Sequence, residues 1–138
     1  MVGHPGETKK DFEELLQFVN DMRFERMGAF PYSHEDGTYA YDSYKDSISD
    51  ATKQERMDLL MSAQEKIAFE TNEEKIGKTL KVVVDKEESD YYVGRTEYDS
   101  PEVDPEVLIK KNKMLNIGEF YNVKITDTQS FDLYGEVI

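Results

Sequence analysis

Apolar residues recur along this chain in two rhythms, and the change falls at Thr79. Before it the spacing is helical. Phe12, Leu15, Leu16, Val19 and Met22 follow one another at steps of three, one, three and three, which places them on one helical face. Thr8 stands where an N-cap belongs, with Asp11 as its capping-box acid, so the pattern predicts a helix over 8–22. Phe18 lies off the main stripe and widens the face expected to be buried. The short apolar run Met27 to Phe30 then reads as a buried parallel strand, with Pro31 ending its ladder. Residues 34–48 have no period and read as a loop, made aromatic by Tyr39, Tyr41 and Tyr44. Ser49, with Thr52 as the alternative cap, opens a second helix. Its stripe is Met57, Leu60, Met61, Gln64 and Ile67 or Ala68, running to about Lys75 with Gly77 as terminator.

From Thr79 the period is two. Strands are predicted at Leu80–Val84, Asp90–Thr96, Glu106–Ile109, Phe120–Thr126 and Phe131–Ile138. Five short strands with no helix between them predict a small five-stranded antiparallel β-barrel. The fold class is therefore an α/β fragment followed by that barrel. The predicted boundary runs through the second helix, giving domains 1–69 and 70–138.

Val2-Gly3-His4-Pro5-Gly6-Glu7-Thr8 has the make-up of a tight strand-to-helix turn, yet only Met1 and Val2 precede it as strand. A turn after a missing strand suggests a chain cut from something larger. Half of an α/β unit leaves strand edges open, which predicts self-association. Tyr32 and Ser33 would sit at the C-terminal end of the predicted strand, where parallel-sheet enzymes keep their sites. An ordinary loop role fits the same spacing equally well.

Charge narrows the classes. The net charge is −13, divided as −6 over residues 1–66 (8 Lys+Arg, 14 Asp+Glu) and −7 over 67–138 (9 and 16). Neither part has the basic footprint of a nucleic-acid binder, and the acidity favours a basic partner or simply solubility. Five of the nine residues 97–105 are Glu, Asp or Tyr, able to meet a basic partner or to form a solvated loop. Lys110, Lys111 and Lys113 form a short basic run and the barrel's one plausible phosphate contact. There is no cysteine, so no disulfide, catalytic thiol or thiolate-held cluster can form within these residues, and two histidines are too few for a convincing metal site. No apolar run is long enough to span a membrane, and a cytoplasmic location is the default expectation.

The Val2–Thr8 stretch with Asp11-Phe12-Glu13-Glu14-Leu15 resembles the mid-chain strand, turn and helix of the methylthiotransferase family of radical S-adenosylmethionine (SAM) enzymes, which usually has Gly-Phe-Pro-Gly-Glu-Thr here. Gly28-Ala29-Phe30-Pro31-Tyr32-Ser33, Glu35-Asp36-Gly37-Thr38 and Tyr39-Ala40-Tyr41 resemble the family's next strand and loop. Arg56, Leu60-Met61, Gln64-Glu65-Lys66-Ile67 and Asn72 with Ile76-Gly77-Lys78 resemble its linking helix. Residues from about 70 onward resemble the terminal TRAM barrel. Gly94-Arg95-Thr96, Asp99-Ser100-Pro101-Glu102-Val103-Asp104 and the ending Phe131 to Val137 are most similar to the branch that modifies an aspartate of ribosomal protein S-twelve.

The resemblance implies the end of a partial (β/α) barrel plus TRAM, and a parent with two 4Fe–4S clusters and S-adenosylmethionine. It implies cofactor-side positions at Gly3, Pro5, Gly6, Glu7, Tyr32 and Ser33, and substrate contacts at Arg95, Asp99, Glu102 and Asp104. Glu7 serves equally well as a capping acid. The implied partner is ribosomal protein S-twelve or the small ribosomal subunit, ahead of transfer RNA. Two departures stand out: the cluster motif Cys-x3-Cys-x2-Cys is missing, and His4 replaces the usual Phe. No cofactor is therefore expected on these residues alone, and no catalytic or metal-ligating residue is assigned. Two other readings are a stand-alone RNA-binding TRAM module with a helical extension and a small assembly domain without ligand chemistry.

Overall fold

In the computed structural model, which describes residues 1–138, five strands close into a barrel in the order β1-β2-β3-β5-β4. They are β1 (Thr79–Glu87), β2 (Tyr91–Thr96), β3 (Val107–Lys110), β4 (Phe120–Gln129) and β5 (Asp132–Val137). Three helices precede them: α1 (Lys9–Met22), α2 (Tyr39–Ser43) and α3 (Asp50–Glu73). The chain divides into two compact units, Met1–Ile67 and Ala68–Ile138. No helix is long and apolar enough to cross a membrane.

The barrel stands as the period-two pattern predicts, except at one seam. β3 and β5 pair in parallel, while the other four pairings are antiparallel. The reason is parity. Directions that alternate around a closed ring need an even number of strands, so a five-stranded ring must contain one parallel neighbour pair. The inward residues are those that the alternation selects: Val82, Val84, Ile109, Val123 and Ile125 are fully buried, with Tyr92, Val107 and Leu133 beside them.

Closing so small a ring requires the long strands to bend, and both do so at a bulge. The register of β1 on β2 shifts between Val84 and Lys86, and that of β4 on β5 between Ile125 and Asp127. Each bulge lies opposite a glycine of the neighbouring strand. A Cβ on Gly94 would come 2.3 Å from the Val83 carbonyl oxygen, and one on Gly135 would come 2.5 Å from Val123 Cγ1 and 2.7 Å from the Lys124 oxygen. These two positions admit only glycine because another backbone crosses where a side chain would begin.

In the first unit α1 forms as its stripe predicts. The Thr8 hydroxyl accepts from the Asp11 amide, Asp11 accepts from the Thr8 amide, and Arg23 closes the helix in a left-handed conformation at φ 50°. Phe12, Val19, Leu60, Ile67 and Val2 make the core. Phe18 does not widen the buried face. It is 51% exposed and leans on Phe24 at a ring distance of 5.7 Å.

The run Met27–Phe30 is not a ladder strand. The parallel pairing is a single bridge, Val2 with Pro31, made by the Val2 amide to the Phe30 oxygen (2.9 Å) and the Tyr32 amide to the Val2 oxygen (2.8 Å). Pro31 therefore does not end the ladder but occupies its centre. A parallel bridge uses the groups on either side of the bridged residue, so the missing proline N–H removes nothing. The predicted loop 34–48 contains the short helix α2, capped by Thr38, whose hydroxyl accepts from the Tyr41 amide. α3 is capped by Ser49, whose hydroxyl accepts from the Thr52 amide, and Gly77 follows its end at φ +85°. Its buried stripe begins one turn earlier than the apolar pattern, at Lys53.

Substitution of Gly94 or Gly135 by alanine should lower the unfolding free energy of the barrel by about 1–3 kcal/mol, the range for overpacking. Urea denaturation of either variant with an unchanged midpoint would refute this account of barrel closure.

Candidate functional site

The Gly3–Thr8 turn is braced from inside. Gly3 adopts φ +77° and Gly6 φ +91°, backbone shapes that L side chains resist. The Gly3 amide donates to both oxygens of Glu7 at 3.1 and 3.0 Å, and the Glu7 amide donates to the His4 oxygen at 2.9 Å. Arg56 of α3 forms a close ion pair with the same carboxylate and reaches the Glu7 carbonyl at 3.3 Å. Its guanidinium also lies 5.6 Å from the Phe12 ring centre. Both charged side chains are largely buried, at 14% and 12% exposure. The Glu7 carboxylate is thus engaged within the turn, and an incoming ligand would have to compete with Arg56 for it. Gly3 is fixed for a second reason: a Cβ there would meet Lys53 Cγ at 2.5 Å.

Beyond the bridge, Tyr32 is buried and Ser33 exposed. The Tyr32 hydroxyl lies 2.8 Å from His34 Nδ1, its ring meets that of His4 edge-on at 5.1 Å, and Lys53 Nζ stands 5.2 Å from its centre. Ser33 Oγ donates to Glu35. Lys53 is held by Asp46 at 2.6 Å, with Asp50 at 3.7 Å. The hydrogen bond from Lys53 holds the Asp46 carboxyl below its ordinary value of 3.8. The same bond raises Lys53 above 10.5, outweighing the opposing effect of burial.

These residues line a cavity of about 300 Å³ bounded by Pro31, Tyr32, Ser33, His34, Asp46, Asp50, Lys53 and Gln54. Of the residues expected on the cofactor side, Tyr32 and Ser33 meet here, whereas Gly3, Pro5, Gly6 and Glu7 form the neighbouring turn. Sequence reasoning missed Lys53, Asp46 and the brace at Arg56. Lys53 did leave a signal: it lies four residues before Met57, in line with the helix's apolar stripe.

On the barrel, the expected contact Arg95 lies in β2 next to its last residue, and Asp99, Glu102 and Asp104 fall within the β2–β3 loop, but their side chains differ in availability. Asp99 is buried and accepts from the Thr96 amide at 3.1 Å and from its hydroxyl. Arg95 Nε is 3.0 Å from Asp85, and Nη1 donates to the Asp99 carbonyl at 3.4 Å. Asp104 accepts from the Ser100 amide at 2.7 Å. Three of the four therefore shape the loop. Glu102 is exposed, at φ 63°.

Residues 76–138 match the TRAM domain family. Over its full length the chain is 63% identical to the ribosomal protein uS12 methylthiotransferase RimO of Parabacteroides distasonis. It is 58% identical to the RimO of Porphyromonas gingivalis and 53% to that of Cytophaga hutchinsonii. Each match takes in all of this chain and 32% of the relative, so the chain spans about a third of the length of the curated relatives it matches. The barrel matches the TRAM family, and the chain as a whole is similar to the RimO methylthiotransferases and fits their C-terminal part.

The Asp46–Lys53 pair makes stability depend on pH in a defined direction. Because the folded Asp46 pKa is lowered, its contribution is present above 3.8 and is lost as the pH falls through the lower folded value. Asp46→Asn should therefore lower the melting temperature at pH 7, with the gap to the wild type narrowing in strong acid. Thermal unfolding across this range checks it, and a gap independent of pH counts against the pair.

Proposed function

We propose that these residues are the substrate-docking, C-terminal part of a radical SAM enzyme that methylthiolates an aspartate β-carbon of ribosomal protein uS12 (S-twelve). The observation that carries this reading is the match of the whole of this chain to about a third of the RimO proteins, joined to an acidic loop on the barrel. The relatives' name gives uS12 as their target, and ribosomal proteins are basic, so an acidic docking face suits such a partner. The location that follows is the cytoplasm, where ribosomes are modified.

The chain has no cysteine, and its residues do not fit an iron–sulfur cluster as ligands. We place radical generation outside these residues and regard them as inactive alone. Their own contribution is geometric. The Glu7–Arg56 pair holds the Gly3–Thr8 turn, and the Lys53–Asp46 pair supports Tyr32 beside the cavity. A rigid wall of this kind positions reacting groups and keeps water out. In this reading Gly3, Pro5, Gly6, Glu7, Tyr32 and Ser33 lie on the cofactor side, and the β2–β3 loop meets the protein substrate.

A second reading, RNA binding as in a transfer-RNA-modifying relative or a stand-alone TRAM module, draws on one observation. Phe120 is 60% exposed with Lys81 Nζ 4.7 Å from its ring centre, a pairing able to stack a base beside a phosphate.

Charge reversal at Glu102, the available acid of the four expected contacts, tests the docking reading. Glu102→Lys should weaken binding to purified uS12 several-fold and reduce its salt dependence, measured by fluorescence anisotropy. Unchanged binding at low salt would count against it, and a gel shift of transfer RNA at moderate salt would favour the RNA reading.

A further inference from the structure

The β2–β3 loop displays two large apolar side chains that its own folding does not require. Tyr98 is 72% exposed and Val103 81%. The loop is held by other groups. The Tyr98 amide donates to Thr96 Oγ1 at 3.3 Å, and Asp99 accepts from Thr96. Ser100 and Asp104 are joined twice, amide to carboxylate at 2.7 Å and amide to carbonyl at 3.4 Å. At the far end the Glu106 amide donates to Asp132 at 3.0 Å. A loop fixed in this way presents its outward side chains without ordering them at the moment of binding, which lowers the entropic cost of association. Residues 97–106 hold five acids and no base. The surface is thus apolar in two places and negative around them.

Resting on the docking function above, we propose that Tyr98 and Val103 are the apolar anchors with which this loop grips a basic, arginine-bearing protein surface. Glu97 and Glu102 form its charged rim. The chemistry divides the work. Exposed acids steer a basic partner and set the salt dependence, but exposed ion pairs contribute little to affinity. Affinity comes from aromatic and aliphatic groups that lose water on contact, and a tyrosine face also takes a guanidinium. A nucleic acid suits this loop poorly, because the exposed carboxylates of Glu97 and Glu102 would confront its phosphates and no lysine or arginine in the loop would offset them.

The test is a titration of the full chain with purified uS12 at fixed moderate salt, comparing wild type with Tyr98→Ala, Val103→Ser and Tyr98→Trp. Tyr98→Ala should weaken binding about tenfold, as loss of an aromatic anchor does, and Val103→Ser should weaken it by a smaller factor. Tyr98→Trp should bind as wild type does. Because both side chains are exposed, the unfolding midpoints should not move, and Val103→Ser gives an independent reading if Tyr98→Ala alters the fold. Wild-type binding that neither Tyr98→Ala nor Val103→Ser changes overturns the anchors while leaving the docking function standing. Absence of wild-type binding to uS12 overturns both. Transfer RNA binding that Tyr98→Ala abolishes assigns the loop to nucleic acid and likewise overturns the proposal.

Discussion

Closure of a five-membered ring of strands is the constraint on which the second half of this molecule depends. The odd count forces the parallel seam between β3 and β5. The small circumference forces β1 and β4 to bend, and the bulges beside Val84 and Ile125 supply the bend. The bends bring backbone against Gly94 and Gly135, which fixes those residues as glycine. In return the barrel leaves no open edge and seals a core of valine, isoleucine and leucine. The loops between strands are thereby free to carry charge and exposed rings without risk to the fold.

The first unit depends instead on two buried ion pairs, both reaching from α3. Arg56 holds Glu7, and Lys53 holds Asp46. Each cation also faces an aromatic ring, Phe12 for Arg56 and Tyr32 for Lys53. Pairs of this kind are costly to break one-sidedly, since the remaining charge is left out of water without a partner. Their effect is to fix the positions of the glycine turn and of the cavity beside Tyr32.

Elements whose signal is local were legible in the sequence. Thr8 and Asp11 announced the start of α1, and the Tyr121, Val123 and Ile125 alternation gave the inward face of β4. What was hidden depends on the partner rather than on the residue. Lys53 carries no sign of burial in its own residue type, and Asp46, seven residues away, supplies the partner that makes its burial possible. Asp99 looked like a docking acid, but the Thr96 amide and hydroxyl turn it inward. Pro31 looked like a stop because a proline usually removes a ladder bond. Which of its neighbours carries the bond is a matter of register that one strand cannot reveal.

The brace between Glu7 and Arg56 joins residues 49 positions apart. The turn's local bonds, from the Gly3 amide to the Glu7 carboxylate and from the Glu7 amide to the His4 oxygen, are thus joined by one that needs α3 in place. On the ribosome the turn emerges well before the helix that will hold it, and a long stretch of chain must follow before the guanidinium arrives. A contact that closes so long a stretch of chain carries a larger entropic cost than the turn's own bonds between Gly3 and Glu7, four residues apart. The turn beside the cavity is thus complete only once the helix that carries Arg56 has docked.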